Sequence, residues 1–110
     1  MSSLQRIVDV LAKVKNRPAM FLRRPDDITS LDILLTGFEM GIVAGCGREG
    51  VRHAQCLFTA MRSHGYTTDP SAGDVYDQIR TRGMSAPQII QERLTLEIEA
   101  WELYFADEAQ

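Results

Sequence analysis

Cysteine is almost missing from this chain of 110 residues: Cys46 and Cys56 are the only two. Two thiols cannot form the framework that staples small secreted domains, so stability has to come from a packed core. Proline and glycine are sparse too, four and eight residues that fall mostly at segment boundaries, which excludes collagen-like and proline-rich linker compositions. The opening Met1-Ser2-Ser3-Leu4-Gln5-Arg6 has neither a basic stretch leading into a long apolar run nor a small-residue cleavage site. A cytoplasmic location is the expectation. Positive charge is the last scarcity: from residue 85 onward Arg93 alone opposes Glu92, Glu97, Glu99, Glu102, Asp107 and Glu108. Such a field repels phosphate, so nucleic acid is not an expected partner, and a basic protein is.

What is present fits one globular domain, residues 1–110. Apolar residues make up 45% and charged residues 25%, the balance of an ordinary soluble protein that buries a single core. Charge is unevenly spread, +2 over residues 1–55 and −5 over residues 56–110. No repeat or low-complexity segment interrupts the pattern. No convincing strand appears either, since Tyr66-Thr67-Thr68 is short and lies between Gly65 and Pro70.

Periodicity and caps predict an all-α bundle of about five helices. The first, near Leu4 to Lys15, puts Leu4, Ile7, Val8, Val10, Leu11 and Val14 on one side and stops before Arg17-Pro18, because proline disfavours helical geometry in the residue before it. Met20, Phe21 and Leu22 are expected to fold back as a short turn against the core. The second runs from Thr29-Ser30-Leu31-Asp32, a capping-box spacing, to about Cys46. It is apolar around most of its circumference, which predicts the central position in the bundle. Gly37, Gly41 and Gly45 recur every fourth residue along it, and tight packing by another helix is the expected use. The run is too short and too interrupted, by Glu39, for a membrane reading.

A third helix is expected from Glu49 to His64, closed by Gly65, and a fourth, short one from Ser71-Ala72-Gly73-Asp74 to Gly83. The fifth begins at Ser85, with Pro87 in its first turn and Gln88 completing the box, and reaches Ala106. It bears two apolar stripes. Ile90, Leu94, Trp101, Tyr104 and Phe105 form one, and Ile89, Leu96 and Leu103 recur every seven residues on nearly the opposite side, bordered by Glu92, Glu99 and Glu102. Two readings stand for the second stripe. It is either buried between neighbouring helices, or it faces another protein or a second copy of this one.

Candidate chemistry fails on spacing. Cys46, His53, Cys56 and His64 lack the paired Cys-x2-Cys or His-x3-His frame of a zinc site, so no metal is expected. Cys56 lies three residues from His53, but nothing supplies an oxyanion hole or an orienting third group. Asp26-Asp27 fits a solvated helix entry better than a catalytic pair. Gly45-Cys46-Gly47-Arg48-Glu49-Gly50 scans as Gly-x-Gly-x-x-Gly, yet it follows no strand, and a turn between helices is the better reading. Arg17, Arg23 and Arg24 fit solvated loop charges more readily than an anion site. The residues point to no enzyme and no cofactor.

Arg17-Pro18-Ala19-Met20-Phe21-Leu22, followed by a variable loop and a helix carrying Gly37-Phe38, resembles the Arg-Pro-Gly-Met-Tyr-Leu and Gly-Tyr/Phe pattern of small helical bacterial immunity proteins. The likeness covers about the first 45 residues. It implies a bacterial protein that binds and neutralises a cognate secreted toxin, and the acidic last helix, with Glu92, Glu99, Glu102, Ile89, Leu96 and Leu103, is the expected contact. Ala19 and Phe21 replace the pattern's glycine and tyrosine, so the motif residues Arg17, Pro18, Met20, Phe21, Leu22, Gly37 and Phe38 are expected to serve packing. The alternative is a self-associating regulatory or scaffold module whose homodimer seam is the heptad-spaced stripe. The same six residues are similar to an Arg-Pro-Gly-Met-Tyr-Ile segment in the ATPase subunits of type II topoisomerases. That family's Asp-Gly-x-Gly motif is absent here, and ATP binding is not expected.

Overall fold

The structure, a computed structural model, describes residues 2–46 and 50–106. The Gly47 to Glu49 part of the glycine-rich turn, and Asp107 and Glu108, lie outside the described residues, as do the side chains of 46, 50 and 51. The described residues form α1 (Ser3–Asn16), α2 (Pro18–Phe21), α3 (Ile28–Cys46), α4 (Gly50–Ser63), α5 (Val75–Thr81) and α6 (Ala86–Ala106), with a 3-10 turn over Pro70–Ala72. The five expected helices are all there, and the addition, α2, is a single turn beginning at Pro18.

Local chemistry explains where the elements begin and end. The Ser2 hydroxyl accepts the Gln5 N–H at 3.1 Å to start α1, and Lys13 and Lys15 in its last turn oppose the negative end of its dipole. At the start of α3 the carboxylate that accepts the Ser30 N–H, at 3.0 Å, belongs to Asp27, so the entry lies two residues before the expected Thr29 cap. Gly65, at φ 85°, closes α4 in the left-handed conformation that a side chain would strain, and the Tyr66 N–H returns to the Met61 carbonyl at 2.9 Å. A reciprocal box between Asp74 and Asp77 opens α5. Ser85 donates its N–H to the Gln88 side chain at 2.8 Å as α6 begins.

The central helix is α6, not the second long helix as its composition suggests. α6 packs against α1, α3, α4 and α5, and buries Ile89, Ile90, Leu94, Leu96, Ala100, Trp101, Tyr104 and Phe105. Thickness is the reason. The molecule measures 39 × 33 × 19 Å, and 19 Å is about two helix diameters, so a helix of the outer layer keeps one side uncovered. α3 is in that layer: Leu31 and Leu35 enter the core, Leu34, Phe38 and Ile42 pack at its border, and Ile33 and Met40 stay outside. Trp101, Tyr104 and Phe105 form the aromatic centre, with Trp101 edge-on to Tyr104 at 5.0 Å between ring centroids.

Two expectations change with this arrangement. Ile89 and Leu96 lie in the core, Leu96 with 0% exposure, so of the two readings of the stripe burial between helices holds for them, and the partner contact or dimer seam does not form through them. Met20 and Phe21 do not pin α1 to the core. A single turn starting at Pro18 carries them outward, Met20 to 69% exposure, and only Leu22 beyond it is buried. Leu96→Ala is therefore expected to cost about 2 to 5 kcal/mol of stability. Met20→Ala is expected to cost less than about 0.5 kcal/mol. Urea unfolding of the two variants measures both, and comparable losses would contradict the placement.

Candidate functional site

The acidic border of α6 is half-exposed and partly engaged by neighbouring side chains. Glu99 accepts a hydrogen bond from the Ser63 hydroxyl at 3.0 Å and pairs with His64 Nε2 at 2.6 Å. Glu92 accepts from the Tyr66 hydroxyl at 3.1 Å. Both carboxylates thus fasten the end of α4 and the segment after it to α6, which leaves Glu102 exposed and Leu103 half-buried. Burial and the Glu92 carboxylate together raise the Tyr66 phenol above its usual range, and the Arg82 guanidinium stacks over its ring at 3.6 Å. The six residues expected to form one contact surface do not share an exposed face.

Beneath them lies a polar cluster that the sequence reading did not single out. Glu97, with 0% exposure, accepts a contact from His53 Nε2 at 2.9 Å and faces Arg93 Nη1 at 2.8 Å. The other ring nitrogen, His53 Nδ1, stands 3.2 Å from Glu39 on α3. Each ring nitrogen therefore faces a carboxylate oxygen, one on α6 and one on α3. Trp101 closes over the ring at 4.4 Å between centroids. Burial acts to raise the Glu97 pKa, but the His53 hydrogen bond and the Arg93 charge outweigh it and hold the carboxylate below its ordinary range. Burial also pushes up the phenol of Tyr76, which lies near Arg93 and Asp32.

A trace of the cluster was visible in the sequence. Arg93 and Glu97, opposite charges four residues apart, fall inside the apolar arc of Ile90, Trp101 and Tyr104. The arrangement contains an imidazole between carboxylates, and His53 is 3% exposed. Its role in this geometry is to tie α3, α4 and α6 together. Of the residues considered for metal, His53 and His64 are engaged with different carboxylates, and among the described residues no group of three or more His, Cys, Asp or Glu side chains converges on a metal position.

Open surfaces of the described residues include two that carry large exposed apolar side chains. Lys13, Asn16, Arg17, Met20 and Phe21 line a small groove between α1 and α2, part cationic and part apolar. The other is the outer side of α3. Ile33 and Met40 stand there 68% and 67% exposed, beside Thr36, Gly37, Gly41 and Ala44. A β-carbon placed on Gly37, Gly41 or Gly45 would meet nothing within 4 Å, so the glycines admit no helix of this chain. That corrects the close intramolecular packing expected of them. Phe38 of the motif borders the core, while Gly37 is on the outside. By length and composition alone the Ile28–Gly45 stretch, with a mean hydropathy of 1.4, is able to cross a bilayer, which corrects the expectation that the run is too short and too interrupted by Glu39.

Compared with protein-family models, with curated proteins and with solved structures, the chain matches none.

The cluster sets a pH dependence. Glu97 binds its proton more weakly in the fold than in the unfolded chain, so its contribution is complete above the ordinary value of 4.5 and is lost as pH falls through the lower folded value. Glu97→Gln leaves Arg93 and His53 buried without their carboxylate and is expected to cost about 3 to 5 kcal/mol near neutrality. The difference from the parent protein should shrink as pH drops below the carboxylate range. Chemical unfolding across that interval tests it, and a difference that stayed constant would refute the assignment.

Proposed function

We propose that this domain is a bacterial, cytoplasmic immunity protein that neutralises a cognate secreted toxin by binding it, without catalysis, and that the contact is the outer face of α3. The exposure of Ile33 and Met40 on a long helix carries this reading, since large apolar side chains left together on a surface mark interaction sites. Charge supports it: no Lys or Arg occurs between Pro25 and Gly47, whereas Asp26, Asp27, Asp32 and Glu39 do. An apolar strip in a negative field suits a basic partner, whose approach the field would steer. The resemblance of Arg17 to Leu22 and Gly37-Phe38 to immunity proteins supplies the class of partner.

The contact is placed on α3 rather than α6 because Ile89 and Leu96 are buried, and the half-exposed Glu92 and Glu99 already hold hydrogen bonds to Tyr66, Ser63 and His64. The polar cluster contributes indirectly, by holding Glu39 and with it the middle of α3 against α4.

The decisive test is protection in cells. If a toxin gene lies beside this reading frame, co-expression of the domain should rescue growth, and Ile33→Arg with Met40→Arg should abolish rescue. The double variant replaces exposed residues, so its thermal midpoint should stay within a few degrees of the parent's. Rescue that survives both substitutions would exclude α3 as the contact.

A further inference from the structure

We propose that the outer side of α1 and α2 binds the surface of an anionic lipid membrane, with Met20 and Phe21 entering the headgroup layer and Arg6, Lys13 and Arg17 facing the phosphates. Charge is sorted along the chain more sharply than its net value of −3 shows. Residues 1–25 carry +5, with Asp9 as their only acid, and residues 26–110 carry −8. Arg6, Lys13 and Arg17 are exposed, and among the described residues none of them is paired with a carboxylate. Lys13 follows Arg6 by two helical turns, so both stand on one side of α1. Val10 lies between them; periodicity groups it with the core residues, yet it is 39% exposed. Arg17 Nη1 approaches Met20 Sδ at 3.9 Å, which joins this side of α1 to α2. Arg23 adds an exposed cation just past α2.

The apolar members stand out from the surface. Met20 is 69% and Phe21 41% exposed, and the groove they border with Lys13, Asn16 and Arg17 holds about 290 Å³, the small end of ligand pockets. A folded acidic protein would need hollows shaped to receive two protruding side chains, whereas the interfacial layer of a bilayer yields around them. Exposed apolar groups set among Lys and Arg are the arrangement of proteins that lie on membranes. Each cation near an anionic surface adds an attraction that dies away within about 8 Å at physiological ionic strength. The acids of residues 26–110 oppose it only where they come that near. The two closest in sequence are already occupied, Asp26 beside Arg24 at 3.9 Å and Asp27 as the cap of α3. A few cations and two partly inserted side chains make a reversible, salt-sensitive attachment rather than a permanent anchor. This attachment involves neither α3 nor the toxin reading.

Co-sedimentation of the purified chain with vesicles of equal parts phosphatidylcholine and phosphatidylglycerol should show binding that weakens as salt is added, and none with phosphatidylcholine alone. Lys13→Gln with Arg17→Gln should lower the partitioning at least about tenfold. Met20→Ser with Phe21→Ser should lower it about tenfold through lost apolar burial. All four side chains are exposed, so the variants should keep the parent's thermal midpoint within a few degrees. Phe21→Trp reads insertion directly: its emission should move to shorter wavelength on anionic vesicles, against the constant background of the buried Trp101. Ile33→Gln with Met40→Gln should bind the vesicles as the parent does, which keeps this surface distinct from the toxin contact on α3. No binding to anionic vesicles, or binding indifferent to both pairs of substitutions on α1 and α2, overturns the proposal. Loss of binding in the α3 variant overturns it by moving the contact to α3. Binding to soluble poly-glutamate but not to vesicles overturns it in favour of an acidic protein.

Discussion

Much of the fold depends on one carboxylate. Glu97 sits near the middle of α6 with no surface exposed, and leaving a charge there uncompensated would cost several kcal/mol. Arg93 compensates it from one turn earlier on the same helix, and His53 does so from α4. This fixes how α4 lies along α6. With that register set, His64 and Ser63 come within reach of Glu99, and Tyr66 within reach of Glu92. His53 has a second ring nitrogen, and through it Glu39 draws α3 into the same bond system. The aromatic packing of Trp101 over the imidazole excludes water, which strengthens each of these contacts.

Hydrophobic spacing and capping chemistry made the elements legible. Ser85 with Gln88 marks the start of α6, and Gly65 marks the end of α4, because both are local devices that act within a few residues. The hierarchy of the helices was not legible. Periodicity shows which side of a helix is apolar, but whether that side is covered depends on the number of layers in the molecule. α3 has apolar residues nearly all round and lies in the outer layer, while α6, with more charge, lies in the middle because its charges find partners across helix boundaries. Those pairings join residues 35 and 44 positions apart, as in His64 with Glu99 and His53 with Glu97, a separation that no local pattern encodes.

The Arg17 to Leu22 segment shows the same limit. Its proline correctly marked a break, and Leu22 does enter the core. Six residues do not determine which way a one-turn helix points its side chains, and Met20 and Phe21 point to solvent. The surface therefore divides by charge: a cationic rim around Met20 and Phe21, and an apolar strip on α3 that no cation borders in sequence. Stability alone explains neither arrangement, since exposed apolar residues add little to a monomer.

The position of α6 in the chain also bears on synthesis. It is made after α1 to α5, yet α1, α4 and α5 pack chiefly against it. While a ribosome is still producing residues 86–106, α1 and α4 have their sticky sides exposed and no partner to cover them. For the nascent chain that exposure ends only when α6 emerges. A premature stop within α6 would release a chain that cannot collapse into a reduced version of the fold, so truncation there acts as complete loss of the domain.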